Sequence, residues 1–151
     1  MKRMRMLSSL FFVLSLFVFS AQAADDVETP KDLPGGKLLT AEEAKGTIGK
    51  ADFFDMRKAV SYGKGHIKGA IALPYDQKSD KTTNFDASKD KFDMSQLPSD
   101  KARPIVFYSD GITGWKSYKA AVTAIKVGHT NVMWFRGGTA EWEAKKFAFE
   151  E

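Results

Sequence analysis

A run of apolar residues, Ile105 to Tyr108, is followed by a loop that contains glycines and then by a segment with helical periodicity. No other stretch of the sequence restricts the possible folds as much. A short apolar run bounded by turn residues is typical of a buried strand. The loop and helix start comprise Ser109, Asp110, Gly111, Ile112, Thr113, Gly114, Trp115, Lys116 and Ser117. This arrangement predicts an anion cradle, because free N–H groups and the helix dipole converge there. In enzymes built this way the residue after the strand is often the nucleophile, and here it is Ser109.

Residues 1–23 have the three parts of an export signal. Basic residues at positions 2, 3 and 5 precede the apolar segment Leu7 to Phe19, and Ala21-Gln22-Ala23 forms a small-residue cleavage site. We therefore expect cleavage after Ala23 and a periplasmic or secreted mature protein that does not span a membrane. An uncleaved membrane anchor is the alternative, although the apolar segment is short for a membrane span.

The composition excludes several classes of function. Without residues 1–23 the chain has 20 Lys and Arg against 19 Asp and Glu, so nucleic-acid binding has no electrostatic support. The chain has no cysteine, which excludes catalysis by a thiol, metal sites made of thiolates and redox exchange by this chain. Metal-site and nucleotide-binding motifs are absent from the sequence, so we expect no metal and no cofactor.

The remaining sequence predicts a polar leader over residues 24–36 and one α/β domain over residues 37–151. Thr40 and Glu43 have the spacing of a capping box at a helix start. Tyr118, Ala121, Val122 and Ile125 form an apolar helical stripe that ends before Gly128, and residues 131–135 form another strand. Short strands that alternate with helices favour a parallel sheet with right-handed crossovers. We predict that residues 76–91 form a surface excursion, pinned to the body by Phe85, Phe92, Met94 and Leu97.

Three further polar residues are candidates for a supporting role in the site. Asp55 and Arg57 end a predicted strand, where ligand crevices open in parallel sheets. They either belong to the site or form a structural ion pair that braces the loop, and the ion pair is favoured. His66 lies between glycines before the next strand, so hydrogen bonding to the backbone is favoured over acid–base catalysis. His129 follows the glycine at the helix end and is expected at the surface.

Three motifs in this order strongly resemble the rhodanese-like domain family. They are Asp55-Met56-Arg57, the segment Gly65 to Ala70 with the sequence G-H-I-K-G-A, and the segment Val132 to Trp142, in which a strand is followed by G-G-x-x-x-W. The match spans residues 37 to 149. The resemblance implies an α/β fold with a central, mostly parallel sheet of about five short strands flanked by helices on both faces.

The resemblance also implies a cysteine at the first position of the active loop, which carries sulfur as a persulfide. The family loop usually has the sequence C-x-x-G-x-R-S, and its cysteine position falls on Ser109 here. Gly114 to Ser117 match the second half of that motif, with Lys116 in place of the arginine, and the loop is two residues longer. The helix start Trp115-Lys116-Ser117-Tyr118 resembles that of exported single-domain members, and the resemblance implies two loop cysteines in many of them, at the positions of Ser109 and Gly114.

The missing cysteine leaves three hypotheses open. The first is an exported binding or accessory module without sulfurtransferase activity, because a serine hydroxyl lacks the acidity of a thiol. The second is an enzyme whose extended 109–117 loop holds a larger oxyanion, such as phosphate or arsenate. The third is a decayed or engineered sequence with no present ligand. Asp110 is expected to compete with an incoming anion for the N–H groups, whereas Lys116 attracts it.

The sequence also predicts the kinds of partner. At the loop face we expect a small oxyanion or a protein, with no nucleic acid and no membrane after signal cleavage. We expect a monomer. Trp115 either closes the loop against the body or contacts a partner, and packing is favoured because large aromatic side chains are mostly buried.

Overall fold

A computed structural model describes residues 27–151, which form a five-stranded parallel sheet with helices on both faces. The strands are β1 (Lys37–Leu38), β2 (Asp52–Asp55), β3 (Ile71–Ala72), β4 (Ile105–Tyr108) and β5 (Val132–Phe135). They lie in the order β1-β5-β4-β2-β3, and every neighbouring pair is parallel. The predicted fold class is confirmed. The predicted signal peptide and its cleavage site after Ala23 lie outside the described residues.

The three central strands are buried on both sides and end at the same level. Asp55 pairs with Tyr108, and Tyr108 pairs with Phe135, so the segments that follow these residues leave the sheet side by side. Phe107 and Trp134 point to one face, whereas Val106 and Phe135 point to the other. Apolar residues on both faces are the pattern expected of a parallel sheet covered by helices on both sides.

Four helices cover the two faces. They are α1 (Ala41–Thr47), α2 (Ala59–Gly63), α3 (Trp115–Lys126) and α4 (Gly138–Ala144), and two 3₁₀ turns span Ala87–Lys89 and Met94–Gln96. Helix α1 begins with the predicted capping box between Thr40 and Glu43. Helix α3 packs on the face of Phe107, while α1 and α4 pack on the face of Val106. Gly128 follows α3 with a φ of +100°, a conformation that favours glycine.

The excursion over residues 76–91 is held to the body more firmly than its polar sequence indicates. Phe85 and Leu97 are buried in the core and Phe92 packs against it, as predicted, but Met94 is 45% exposed and does not pin the segment. Polar contacts add to this attachment. Lys119 of α3 is fully buried and donates to the backbone oxygen and the hydroxyl of Ser79.

Two searches of residues 27–151 gave negative results. No helix there combines the length and the apolar character needed to cross a bilayer. The same residues contain no group of three or more His, Cys, Asp or Glu side chains placed to hold a metal ion.

Candidate active loop

The loop that follows β4 borders a cavity at the carboxyl end of the sheet. The cavity has a volume of about 370 Å³ and is lined by Gln77 and Lys81 of the excursion and by loop residues 109–110 and 113–116. Ser109 lies at its floor and is 1% exposed. The structure therefore brings most of the predicted loop residues to one cavity, as expected for the turn between a strand and a helix.

The Ser109 hydroxyl is engaged inside the loop. Its Oγ lies 3.1 Å from the Gly114 oxygen and 2.9 Å from Ser117 Oγ. Ser117 Oγ also donates to the Gly114 oxygen and accepts from Trp134 Nε1 at 3.0 Å. The hydroxyl groups of Ser109 and Ser117 therefore bond to each other and to the Gly114 oxygen. Among the described residues, no basic side chain contacts Ser109.

The glycine at position 138 is explained by the way α4 approaches the loop. Gly138 has a φ of +54°, and a Cβ there would overlap the Ser109 oxygen. Thr139 N–H donates to the Ser109 oxygen at 3.0 Å, and Ala140 N–H donates to the Asp110 oxygen at 2.9 Å. Glycine is required because the α4 start binds the loop backbone directly.

The loop keeps free N–H groups and a positive charge. The N–H groups of Gly111, Ile112 and Thr113 have no hydrogen-bond partner within residues 27–151, and Lys116 is in the first turn of α3. Of these residues, Thr113 and Lys116 line the cavity. The Asp110 side chain is exposed and accepts no hydrogen bond from these groups. Asp110 does line the cavity, so the expectation that its carboxylate competes with an incoming anion stays a prediction.

Asp55 and Arg57 form a buried ion pair at the carboxyl end of β2. Arg57 Nη2 lies 2.7 Å from Asp55 Oδ2, and the same nitrogen donates to the Gly65 oxygen at 2.7 Å. Tyr108 OH donates to Asp55 Oδ2 at 2.7 Å. Burial, and then the Asp55 charge, raise the pKa of Tyr108 well above its usual range, so its hydroxyl stays a donor. The favoured prediction of a structural ion pair is confirmed, but its further hydrogen bonds go to Gly65 and Tyr108 and not to residues 109–117. Neither Asp55 nor Arg57 lines the loop cavity.

Neither histidine is placed to act on Ser109. His66 Nδ1 lies 3.2 Å from the Tyr62 oxygen, and its ring stacks on Tyr62 at 3.8 Å between centroids. The predicted bonding to the backbone is thus confirmed. The expectation of an exposed His129 is wrong, since it is 2% exposed and its Nε2 lies 3.2 Å from Lys101 Nζ. Burial, and then the Lys101 charge, lower the pKa of His129.

Residues 27–33, called here the N-terminal strap, lie across the loop, although the sequence predicted only a leader at this place. The Val27 oxygen accepts from Trp115 Nε1 at 2.7 Å, and Thr29 N–H donates to the Ile112 oxygen at 2.8 Å. Arg136, which follows β5, donates to the oxygens of Thr29 and Pro30. The indole of Trp115 is 4% exposed, which confirms the favoured packing role.

Sequence reasoning also missed the network that holds the excursion beside the cavity. Lys119 Nζ lies 3.7 Å from Asp90 Oδ2, and the two side chains are 0% and 2% exposed. Asp90 accepts from Tyr75 OH, from Ser79 Oγ and from the N–H groups of Lys78 and Ser79. One signal in the sequence could have indicated that Lys119 is buried. Lys119 is next to Tyr118, the first residue of the apolar stripe of α3.

Comparisons with known proteins agree with this architecture. The model of the rhodanese-like domain family matches residues 40–145. The tRNA uridine(34) hydroxylase of Hamiltonella defensa is 30% identical over 138 residues, which cover 87% of this chain and 36% of that protein. The chain therefore spans about a third of the length of this curated relative.

Two solved structures have a similar fold. The Alr3790 protein from Anabaena sp. has a TM-score of 0.55 at 24% identity, over 74% of this chain and 79% of that one. A thiosulfate sulfurtransferase from Pseudomonas aeruginosa has a TM-score of 0.56 at 19% identity, over 78% of this chain and 21% of that one. At these identities the likeness concerns the fold alone.

Proposed function

Because this chain belongs to the rhodanese-like domain family, we propose that it is an exported member that binds a partner or ligand at the loop face and does not transfer sulfur. The observation that carries the proposal is Ser109 at the family's cysteine position, in a chain without cysteine. Export rests on the signal pattern of residues 1–23.

The chemistry of sulfur transfer explains why serine fails. A thiolate attacks the outer sulfur of thiosulfate, the S–S bond of thiosulfate breaks, sulfite leaves, and the enzyme keeps the sulfur as a persulfide. Cyanide then takes this sulfur as thiocyanate and restores the thiolate. A serine hydroxyl is not ionised near neutral pH, and a thiol with a pKa of about 8.5 is far closer to that state. The contacts of Ser109 support the view that its hydroxyl is not activated. Its Oγ bonds to the Gly114 oxygen and to Ser117 Oγ, and no base among the described residues is in contact to take its proton.

A kinetic assay with thiosulfate and cyanide tests the proposal. We expect wild type and Ser109→Ala to form thiocyanate at the same background rate. Ser109→Cys is expected to exceed that rate, because the new thiol lies at the cavity floor near the start of α3, whose dipole lowers thiol pKa values. Ser95→Cys provides an exposed thiol away from the loop and is expected to stay at background. Activity of the wild type well above Ser109→Ala would overturn the proposal.

A second candidate function is oxyanion binding by the same loop, which the free N–H group of Thr113 and the charge of Lys116 favour, since both residues line the cavity. Gln77, which also lines the cavity, supports oxyanion binding. Its Oε1 is buried without a hydrogen-bond partner within residues 27–151. If the side-chain amide is rotated by 180°, its NH₂ group takes the place of this oxygen and can donate to an anion. Titration with inorganic phosphate is expected to change the Trp115 fluorescence, and Lys116→Gln is expected to weaken the response. Lys58→Gln, which removes an exposed lysine outside the cavity, is the matched control. An empty loop in crystals soaked with millimolar phosphate would count against this candidate.

A further inference from the structure

A second cavity lies at the opposite end of the sheet from the active loop. Its volume is about 500 Å³, compared with about 370 Å³ for the cavity at the loop. It is lined by residues 48–53 at the start of β2, by Lys68, Gly69 and Ile71 around β3, and by Arg103 and Pro104 before β4. None of these residues takes part in the loop or in its bracing network.

This cavity continues around the edge of the sheet. A neighbouring cavity of about 320 Å³ shares Asp52, Ile71 and Arg103 with it and extends to residues 96–100. The two cavities together are called here the edge groove. Two adjoining cavities suit an extended chain that passes from one to the other better than a compact small molecule.

The apolar part of the edge groove lies beside an open strand. Ile71 of β3 is 42% exposed and lines both cavities. Strand β3 is at the end of the strand order and pairs only with β2 among the strands described. An open sheet edge offers backbone groups to which an extended peptide can hydrogen-bond.

The charged part of the edge groove is basic. Lys50 and Lys68 are exposed at its rim, and their ammonium groups have no hydrogen-bond or ion-pair partner within residues 27–151. Arg103 is paired with Asp52, at 2.6 Å from Nε to Oδ2. Asp100 is the other acidic residue and lies at the far end of the groove. The first cavity therefore has three cations against one carboxylate.

We propose that the edge groove binds an extended, acidic and partly apolar segment of a partner protein. The lysines attract its carboxylates, and Ile71 contacts its apolar side chains. This interaction goes beyond the function proposed for the loop and does not depend on it, because the two sites lie at opposite ends of the sheet.

The test uses a short fluorescent peptide of alternating valine and glutamate with the full-length protein. We expect saturable binding that weakens as salt is raised, and no binding of the same peptide with lysine in place of glutamate. In spectra of labelled protein, the signals that shift should be those of residues around Lys50, Lys68 and Ile71. Absence of binding, or shifts at residues 109–116 instead, would overturn the proposal, while leaving the sulfur-transfer account unaffected.

Variants separate the groove from general charge effects. The double variant K50E/K68E is expected to bind the acidic peptide at least about tenfold more weakly, because both rim charges are reversed. K58E/K89E makes the same change in net charge at two exposed lysines outside the groove and is expected to bind like wild type. Ile71→Ser is expected to weaken binding without changing its salt dependence. Equal affinity of K50E/K68E and K58E/K89E, with both folded by thermal melting, would contradict the proposal.

Discussion

Replacing Asp90 by alanine is expected to lower the free energy of unfolding by about 3 to 5 kcal/mol, the range for breaking one side of a buried ion pair. The change leaves the Lys119 ammonium buried without its carboxylate and removes the acceptor of Tyr75, Lys78 and Ser79. Urea unfolding followed by circular dichroism measures the loss. Lys119→Met is expected to cost less, because Asp90 keeps these four hydrogen bonds.

The matched control is Asp86→Ala, on the same excursion. Asp86 is exposed and, among residues 27–151, accepts hydrogen bonds from Ser88 alone, so its loss is expected to cost less than about 1 kcal/mol. The double variant D90A/K119M is expected to be more stable than the sum of the single losses predicts, since no unpaired charge remains. If Asp90→Ala cost no more than Asp86→Ala, the network would not be what ties the excursion to α3.

The same network sets a dependence on pH. Burial opposes ionisation of Asp90, but hydrogen bonds from Ser79, Lys78 and Tyr75 outweigh it and hold the pKa of Asp90 below its usual range. A carboxyl with a lowered pKa in the folded state stabilises the fold above its unfolded pKa, and this contribution is lost as the pH falls through the folded pKa. Wild type is therefore expected to lose more stability in acid than D90A/K119M.

Replacing Asp55 by alanine is also expected to cost about 3 to 5 kcal/mol of unfolding free energy. Its side chain is 0% exposed and pairs with Arg57, whose side chain is 9% exposed. The loss would leave the guanidinium buried without its partner and Tyr108 OH without its acceptor. Arg57 would then hold the turn at Gly65 less firmly.

Strand β2 supplies its own control. Asp52 is also paired with an arginine through two hydrogen bonds, but here the side chains of Asp52 and Arg103 are 26% and 56% exposed. Exposed pairs contribute about 0 to 1 kcal/mol, so Asp52→Ala is expected to be nearly neutral in urea unfolding. Similar losses for Asp55→Ala and Asp52→Ala would show that burial does not govern the strength of the Asp55 pair.

The sequence predicted the features that depend on neighbouring residues. The capping box of α1 joins positions three apart, and the Asp55–Arg57 pair joins positions two apart, so local spacing was enough to anticipate both. The parallel sheet followed from short apolar strands that alternate with helices. The cavity at the loop followed from the order of β4, loop and α3, because this order brings the loop to the carboxyl end of the sheet.

Contacts between distant parts of the chain could not be predicted in this way. The strap joins Val27 to Trp115, and Lys119 reaches back to Ser79, and neither pair has a periodicity that marks it. Composition was misleading for both. A polar segment with prolines, such as the strap, usually lies free at the surface, and a lysine in a helix is usually exposed. His129 is a further case, because burial beside Lys101 depends on tertiary packing that no pattern in the sequence indicates.

Intact-protein mass spectrometry after incubation with thiosulfate tests most directly whether this loop carries sulfur. Ser109→Cys provides the positive control and is expected to gain the mass of one sulfur atom, which cyanide then removes. We predict that the wild-type protein keeps its original mass, because neither Ser109 nor any other residue of the chain has a thiol to hold the sulfur. A wild-type protein that gained one sulfur atom from thiosulfate and lost it to cyanide would contradict the account.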